Sequence, residues 1–203
     1  MNQIIIKKAK EHVFSHLDKN TPANNVYHNS DHTKEVVKAG KTIAKGMRLS
    51  DDDVEIIILA ALFHDLGYLE IIKGHEKISD RYAEEFLKKE KYPDKKIIKI
   101  KGCILATKVP QKPKNILEKV ICDSDLSHLG KESFSKRNNM FRDEFEFHFG
   151  RTLTDKEFLK MSINFLKNHK FFTKYAIENL EPRKQKNLYK LKEALKKLST
   201  LNQ

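Results

Sequence analysis

The stretch that decides the fold is Ile56-Ile57-Ile58-Leu59-Ala60-Ala61-Leu62-Phe63. It has no polar face, so it predicts a helix that is buried on all sides at the centre of the molecule. The hydroxyl of Ser50 is expected to cap the first turn, with Asp53 reaching back across it. Gly67 follows the stretch and is expected to end the helix.

The rest of the chain carries the same kind of signal. Only seven glycines and five prolines interrupt long stretches of helical periodicity, and no convincing alternating strand pattern is present. We therefore predict an all-α fold, a bundle of about ten helices. Besides the central helix, the predicted spans are 2–18, 30–47, 75–90, 95–107 (capped by Asp94), 115–128, 133–148, 155–168 (with a Thr154–Glu157 capping box), 171–180 and a last helix with Pro182 in its first turn.

Length and composition restrict the class of protein. A chain of 203 residues fits one domain, or one domain with an appendage, and buries enough apolar surface to need no disulfide or structural metal. Cys103 and Cys122 lie in apolar stretches without a C-x-x-C spacing, which predicts two reduced, buried cysteines. There is no signal-peptide core and no apolar run near the roughly 20 residues of a membrane span. We expect a cytoplasmic protein.

The positive charge is concentrated at the C-terminal end. The formal net charge is +12, and residues 182–203 carry seven basic side chains against one acid, Glu193. This tail has one aromatic residue, Tyr189, and no recognition motif, so nucleic acid is the least favoured partner.

The tail also carries a leucine stripe. Its leucines step by three, four and three residues, which is coiled-coil spacing, at Leu188, Leu191, Leu195 and Leu198. The stripe either packs on the rest of the domain or pairs with a second subunit. We divide the chain into a domain at 1–181 and a basic C-terminal helix at 182–203, and we predict a weak to moderate homodimer that involves this helix.

Three polar clusters interrupt the apolar pattern. His64 and Asp65 come directly after the central apolar stretch, where an unpaired carboxylate is costly to desolvate. A cation would compensate both groups, although adjacent helical residues point about 100° apart, so the helix must end or distort there. His28 and His32 stand four residues apart in a second segment, and two carboxylates end an apolar helix in a third, at Asp123 and Asp125.

A mixed set of imidazoles and carboxylates suits a catalytic divalent metal better than a closed structural zinc site. The spacing therefore predicts a site for Mn, Mg, Fe, Ni or Zn. It leaves open whether one or two ions bind.

The order of these clusters resembles the HD superfamily, whose pattern is His…His-Asp…Asp. Tyr27-His28-Asn29-x-x-His32-Thr33 is also similar to the His-Asn-x-x-His motif of the cyclic-nucleotide phosphodiesterases in that superfamily. Ser124-Asp125-Leu126-Ser127 is similar to their Ala-Asp-Leu-Ser, which selects Asp125 rather than Asp123 as a ligand.

A closer likeness covers nearly the whole chain. Bacterial predicted HD phosphohydrolases carry Tyr-His-Asn-x-x-His-Thr, Leu-Phe-His-Asp-x-Gly-Tyr, His-Glu-x-x-Ser, Ala-Thr-Lys and Asp-x-Asp-Leu-x-x-Leu-Gly, which here fall at 27–33, 62–68, 75–79, 106–108 and 123–130. Some relatives of this kind continue into a membrane segment of the type found in antiphage effectors; we expect none here. The resemblance implies an HD-domain helical bundle.

The resemblance implies metal ligands at His32, His64, Asp65 and Asp125. Open positions on the metal would take a phosphate oxygen and a water, which ionises near neutral pH to a metal-bound hydroxide and attacks the phosphoester. Asp65 is the residue expected to bridge to a second metal.

Four further residues receive candidate roles. By resemblance to the phosphodiesterases, His28 would protonate the leaving alkoxide; the alternative is a histidine that only caps the second helix. His75 would bind a second metal or orient substrate, or is simply an exposed histidine at a helix start. Lys108 either contacts phosphate or is a solvated lysine before a loop. Asp123 is either an outer partner that orients a ligand or a helix-end carboxylate.

Two departures from these relatives limit the prediction. Leu-Gly-Tyr follows His64-Asp65 where many HD hydrolases have Ile-Gly-Lys, and the base-selecting glutamine region of the phosphodiesterases is absent. Cyclic-nucleotide specificity is therefore not carried over.

The leading hypothesis is metal-dependent hydrolysis of a small phosphorylated substrate, in the first place a nucleotide. Second is a nucleotide-sensing module of weak activity that signals through the C-terminal helix. A di-iron oxygenase is third.

Overall fold

The structure is a computed structural model that describes residues 1–200. Within that range it contains ten α-helices and no strand, which confirms the all-α prediction. The helices are α1 (Gln3–Asn20), α2 (Ser30–Gly46), α3 (Asp51–Phe63), α4 (His75–Lys89), α5 (Asp94–Ala106), α6 (Ile116–Asp125), α7 (Phe134–Phe149), α8 (Asp155–Asn168), α9 (Lys174–Asn179) and α10 (Glu181–Thr200). Residues 201–203 of the predicted tail lie outside the described range.

The predicted central helix is α3. Every residue from Glu55 to Phe63 is buried, and α3 packs against α1, α2, α5 and α6. Ser50 caps the helix: its hydroxyl accepts a hydrogen bond from the Asp53 amide at 3.2 Å and donates one to the Asp53 carboxylate at 2.7 Å. The largest apolar cluster of the molecule forms around this helix, so its C-terminal end has a rigid setting.

Gly67 acts through close packing. It lies in a short 3-10 helix, Leu66–Leu69, that follows α3 and packs on α4. A Cβ atom at Gly67 would come within 2.3 Å of the His75 carbonyl oxygen, so only glycine lets the two segments approach this closely. The glycine therefore brings the start of α4, with His75, beside the end of α3.

Three predicted helix ends are corrected by the structure. Asp94 is the first residue of α5, and Pro93 occupies the capping position without a side-chain hydrogen bond. The helix predicted at 115–128 ends at Asp125 and continues as a 3-10 helix, Leu126–Gly130. The span predicted at 171–180 contains only α9, which begins at Lys174. Thr173 caps it, since its hydroxyl accepts a hydrogen bond from the Ala176 amide at 3.1 Å.

A second apolar cluster joins the C-terminal helices, where Leu126, Phe134, Leu166 and Leu188 are buried together. α10 packs on α8, on α9 and on the 3-10 helix Leu126–Gly130. Leu188 of the predicted stripe belongs to this core. No helix among residues 1–200 has the length and apolar character needed to cross a membrane.

Candidate metal centre

Three helix ends bring the predicted ligands together. His32 lies in the first turn of α2, which Asn29 caps by accepting hydrogen bonds from the amides of Asp31 at 3.0 Å and His32 at 3.2 Å. His64 and Asp65 come directly after α3, and Asp125 is the last residue of α6. At Asp65 the backbone leaves the helical region, with φ −108° and ψ 6°, so the adjacent side chains of His64 and Asp65 can converge.

The donor atoms of these residues are close enough to share one ion. One donor atom each from His32, His64 and Asp125 lies within 4.8 Å of the others. The Nε2 atoms of His32 and His64 are 3.4 Å apart, and Asp65 Oδ2 is 3.2 Å from the first and 3.0 Å from the second. Donors about 2.0–2.2 Å from a common ion, at bond angles near 90–110°, are separated by about 3–3.6 Å. The cluster thus has the spacing of a metal centre.

The backbone fixes which ring nitrogen of His64 and of His75 is free. His64 Nδ1 donates to the Ala61 carbonyl at 2.9 Å, and His75 Nδ1 donates to the Ile72 carbonyl at 2.8 Å. In a neutral imidazole the other nitrogen, Nε2, then carries the lone pair. Both Nε2 atoms face Asp65, at 3.0 Å from Oδ2 for His64 and 3.3 Å from Oδ1 for His75. This arrangement is typical of metal-binding histidines.

The surroundings of one Asp65 oxygen indicate whether a cation fits between these side chains. Asp65 Oδ2 is buried and has no hydrogen-bond partner among the described residues. An orphaned buried carboxylate oxygen is costly, and the atoms it faces are the ring nitrogens of His32 and His64. A divalent cation among these atoms would satisfy the oxygen and both lone pairs. The residues present therefore fit a metal, whose identity the donor set leaves open.

The electrostatics of the cluster favour ionised carboxylates. Burial opposes the charge of Asp65, but His64, His32 and His75 outweigh burial and hold the Asp65 pKa well below its usual range. Asp125 behaves in the same way: burial raises its pKa, and its contacts with His32 and His64 lower it further than burial raises it. Both groups are thus in the state that binds cations.

A cavity of about 470 Å³ opens onto the cluster. Asp65 and Asp125 form part of its floor, and the other predicted site residues His28, His75 and Lys108 all line it. His75 is mostly buried beside Asp65, whereas Lys108 is exposed at the rim. The size lies within the range of about 300–1,000 Å³ that is usual for small-molecule sites.

His28 is held by a carboxylate from a distant helix. Its Nδ1 is hydrogen-bonded to Glu144 Oε1 of α7, while Glu144 Oε2 accepts the amides of Tyr27 at 2.8 Å and His28 at 3.0 Å. The His28 ring stacks on Tyr68, with centroids 3.9 Å apart and planes inclined by 17°. The ring is therefore fixed in the cavity wall, with Nδ1 committed to Glu144.

Comparisons with known proteins address the family and the fold of the chain. A family model described as "HD domain" matches residues 29–130, half of the chain, and that match contains His32, His64, Asp65 and Asp125. The chain belongs to the HD domain family. The crystal structure of a predicted HD superfamily hydrolase from an uncultured Thermotogales bacterium has the same fold, with a TM-score of 0.60 and 18% identity over 97% of this chain and 92% of that one. No curated protein matched the sequence.

Two residues of this HD domain site were missed from the sequence. Glu144 shares an inward stripe with Phe141 on α7, and that stripe was the available signal. Arg142 and Glu146 of the same helix form an ion pair at 2.9 Å and are not part of the cavity lining. His128 lines the cavity beside the Tyr27 hydroxyl at 3.4 Å, and burial, together with the charge of His32, lowers its pKa to about 3.

Asp123 serves the HD domain scaffold. Its carboxylate oxygens accept the amides of Phe172 at 2.9 Å and Thr173 at 2.8 Å, at the segment that leads into α9. Of the two open interpretations, an outer partner of the metal or a structural carboxylate, these contacts favour the second.

Proposed function

We propose that this HD domain hydrolyses a phosphoester, in the first place a nucleotide or another small phosphorylated metabolite, with a divalent metal held by His32, His64, Asp65 and Asp125. The observation that carries the proposal is the buried set of imidazole and carboxylate donors, with one orphaned oxygen, at the floor of a cavity. The predicted hydrolase of the same fold supports a hydrolytic reaction.

The metal would supply Lewis acidity toward a phosphate oxygen and would lower the pKa of a coordinated water. The chain's own residues provide its binding energy and orientation. Hydrogen bonds from Nδ1 to backbone carbonyls hold His64 and His75 with Nε2 toward Asp65. Asp65 uses both oxygens, one toward His32 and His64 and the other toward His75, so it is the residue suited to bridge two ions.

His28 would act as the general acid that protonates the leaving oxygen. Its Nδ1 is engaged by Glu144, which leaves Nε2 as the nitrogen that holds and delivers the proton. Stacking on Tyr68 fixes the plane of the ring. Glu144 is ionised because the hydrogen bonds from His28 and two backbone amides lower its pKa by more than burial raises it. Glu144 would thus be a positioning residue for His28.

Two cavity residues would contact the substrate phosphate. His75 lies next to the centre, 3.3 Å from Asp65, and would bind a second ion or orient a phosphate oxygen. Lys108 at the exposed rim would attract the anionic substrate without a fixed partner of its own.

A hydrolysis screen tests the proposal. The full chain is loaded with Mn²⁺, Mg²⁺, Fe²⁺, Ni²⁺ or Zn²⁺ and assayed with nucleotides and sugar phosphates, beside a His64→Ala variant. Release of phosphate or nucleoside by the wild-type protein, abolished by EDTA and by His64→Ala, is the expected result. A loaded protein that is inactive on the whole panel would contradict a phosphohydrolase function.

Leaving groups of different basicity test the role of His28. His28→Ala should slow turnover roughly 10²–10⁴-fold on esters whose leaving alkoxide needs a proton. The loss should be much smaller on p-nitrophenyl esters, because that leaving group is stable as an anion. Glu144→Gln should give a milder loss with the same dependence. Equal losses on both ester types would indicate that His28 acts only as a structural residue.

One observation favours a second candidate function, nucleotide sensing through the C-terminal helix. Asn187 of α10 donates to the carbonyls of Leu129 at 2.9 Å and Lys131 at 3.0 Å, directly after the segment that carries Asp125. Ligand binding at Asp125 would therefore reach α10 through the segment 126–131, which is hydrogen-bonded to Asn187 of α10. Tight nucleotide binding without turnover, together with a change in hydrogen exchange across α10, would favour sensing over hydrolysis.

A further inference from the structure

A second concave surface lies between α1 and α2. It is a groove of about 410 Å³, and no residue of the described range 1–200 lines both this groove and the cavity at the metal centre. The groove is lined by lysines, apolar side chains and one threonine: Lys10, Phe14, Lys34, Val37, Lys38, Lys41, Thr42 and Leu62. Its volume is sufficient for a small ligand.

The floor of the groove is apolar. Leu62 of α3 and Val37 of α2 are 1% and 7% exposed, and Phe14 of α1 is half-buried. The floor is therefore recessed below the side chains around it. A recessed floor accommodates an apolar group that projects into it, whereas insertion into a bilayer requires apolar side chains that project outward. The shape favours a bound ligand over a membrane surface.

The rim of the groove is positively charged. It is formed by four lysines from two helices: Lys10 of α1 and Lys34, Lys38 and Lys41 of α2. Lys34 pairs with Asp31 at 3.1 Å, and its ammonium group lies 5.6 Å from the centroid of the Phe14 ring. The other three lysines form no ion pair within residues 1–200, and no acidic side chain of that range lines the groove. The rim thus attracts an anion that the protein itself does not supply.

The polar side chains of the groove are mainly hydrogen-bond donors. Each lysine ammonium group has three donors and no acceptor. Thr42 contributes the one hydroxyl group of the lining, and it donates its hydrogen to the Lys38 carbonyl at 3.0 Å. A peptide segment would bring several backbone N–H groups to a lining with a single side-chain oxygen to accept them, which is costly. The lining therefore favours a ligand that accepts hydrogen bonds and donates none.

From these observations we propose that the groove binds a fatty acid, with its alkyl chain on the apolar floor and its carboxylate among the lysines of the rim. An alkyl chain gains free energy by burial against the floor and has no donors to satisfy. A carboxylate accepts charge-assisted hydrogen bonds from more than one ammonium group. Inorganic phosphate would leave the floor unused, and an uncharged alkyl compound would leave the lysines without a counter-charge.

Titration with decanoate tests the inference. Calorimetry on the full chain is carried out in EDTA, so the result depends neither on the metal centre nor on hydrolysis, and below the concentration at which decanoate forms micelles. Saturable binding of one decanoate per chain is expected. Octanoate should bind about tenfold more weakly, because two buried methylene groups are lost. High salt should weaken the binding of both, because it screens exposed charges.

The double variant Lys38→Gln/Lys41→Gln tests the rim. It should bind decanoate about fivefold more weakly, because it loses two exposed charge interactions. Lys45→Gln/Lys167→Gln is the matched control, because it removes the same charge from two exposed lysines that do not line the groove. The control should bind decanoate as the wild type does. Circular dichroism checks that both variants are folded.

Three outcomes would overturn the inference. The first is that decanoate shows no saturable binding to the folded wild-type chain. The second is that the Lys38→Gln/Lys41→Gln variant binds decanoate as well as the control does. The third is a different occupant: polyglutamate that binds more tightly than decanoate would indicate a site for acidic peptides. Binding to phosphatidylglycerol vesicles without binding of monomeric decanoate would indicate a membrane surface.

Discussion

Glu55 and Asp65 are two buried carboxylates at opposite ends of the central helix α3, and their partners differ. Glu55 is 1% exposed and receives hydrogen bonds from the Tyr92 hydroxyl, the Asn2 amide and, at 3.3 Å, the Lys96 ammonium group. Asp65 is 8% exposed, and its Oδ2 atom has no such donor within residues 1–200. Burial of an acid therefore does not by itself indicate a binding site. A buried acid indicates a binding site when it lacks hydrogen-bond donors from the protein and faces convergent imidazoles.

The same contrast recurs over two residues of α6. Asp123 is completely buried and satisfied by the amides of Phe172 and Thr173. Asp125 faces His32 Nε2 at 3.3 Å and His64 Nε2 at 3.7 Å. One carboxylate joins two parts of the scaffold, and the other belongs to the candidate metal centre.

The largest effect should come from Asp65→Ala. This change removes the carboxylate that lies between the histidines, so metal retention and turnover should fall to background. Even the loss of an outer partner of a metal ligand costs about 10–100-fold in affinity. Elemental analysis after gel filtration measures the metal, and circular dichroism should show an unchanged helical signal. Glu55→Gln is the matched control and should retain its metal; full metal retention by Asp65→Ala would remove the contrast.

Glu55→Ala should have the larger effect on folding. It leaves the Tyr92 hydroxyl and the Lys96 ammonium group without their buried acceptor, which should lower the free energy of unfolding by about 3 kcal/mol. Urea denaturation in EDTA measures the change. Asp52→Ala is the control, because Asp52 contacts the same Lys96 at 3.0 Å but is exposed, and it should change stability little. Equal effects of the two substitutions would mean that burial of Glu55 is unimportant.

Asp123→Asn should have a smaller effect on stability. The amide keeps one acceptor oxygen, so one of the two amides at Phe172 and Thr173 loses its partner, at a cost of about 1–2 kcal/mol. The same denaturation measurement reports it. Asp125→Asn is the comparison: it should lose metal, whereas Asp123→Asn should keep it. Loss of metal in both variants would return Asp123 to the role of an outer partner.

The smallest expected effect is a pH dependence of stability due to Glu55. Burial raises its pKa, but the hydrogen bonds from Tyr92, Asn2 and Lys96 outweigh burial and keep the pKa below its usual value. Stabilisation by the ionised group is therefore complete above the unfolded pKa of about 4.3 and is lost as pH falls through the lowered value. The stability gap between the wild type and Glu55→Gln should narrow from pH 6 to pH 3 in EDTA. A constant gap would contradict this assignment.

Much of the fold was predictable from local sequence. The apolar run 56–63 indicated a central helix, and Ser50 and the Thr154–Glu157 capping box marked helix starts that the structure confirms. The candidate ligands were identifiable because His64 and Asp65 directly follow an apolar run, where they are costly without a partner. These signals lie within a few residues of one another, so one chain segment is enough to read them.

The tertiary structure decided what those residues meet. Glu144 contacts His28 across 116 positions, and Asn187 contacts Leu129 across 58. Asn138 and Ser162 meet across two helices, and Glu55 and Asp65 carry the same charge and are both buried, yet only packing gives them different partners. Helical periodicity predicts which face of a helix turns inward. Which donor lies opposite that face depends on how helices pack, and local sequence does not encode those long-range contacts.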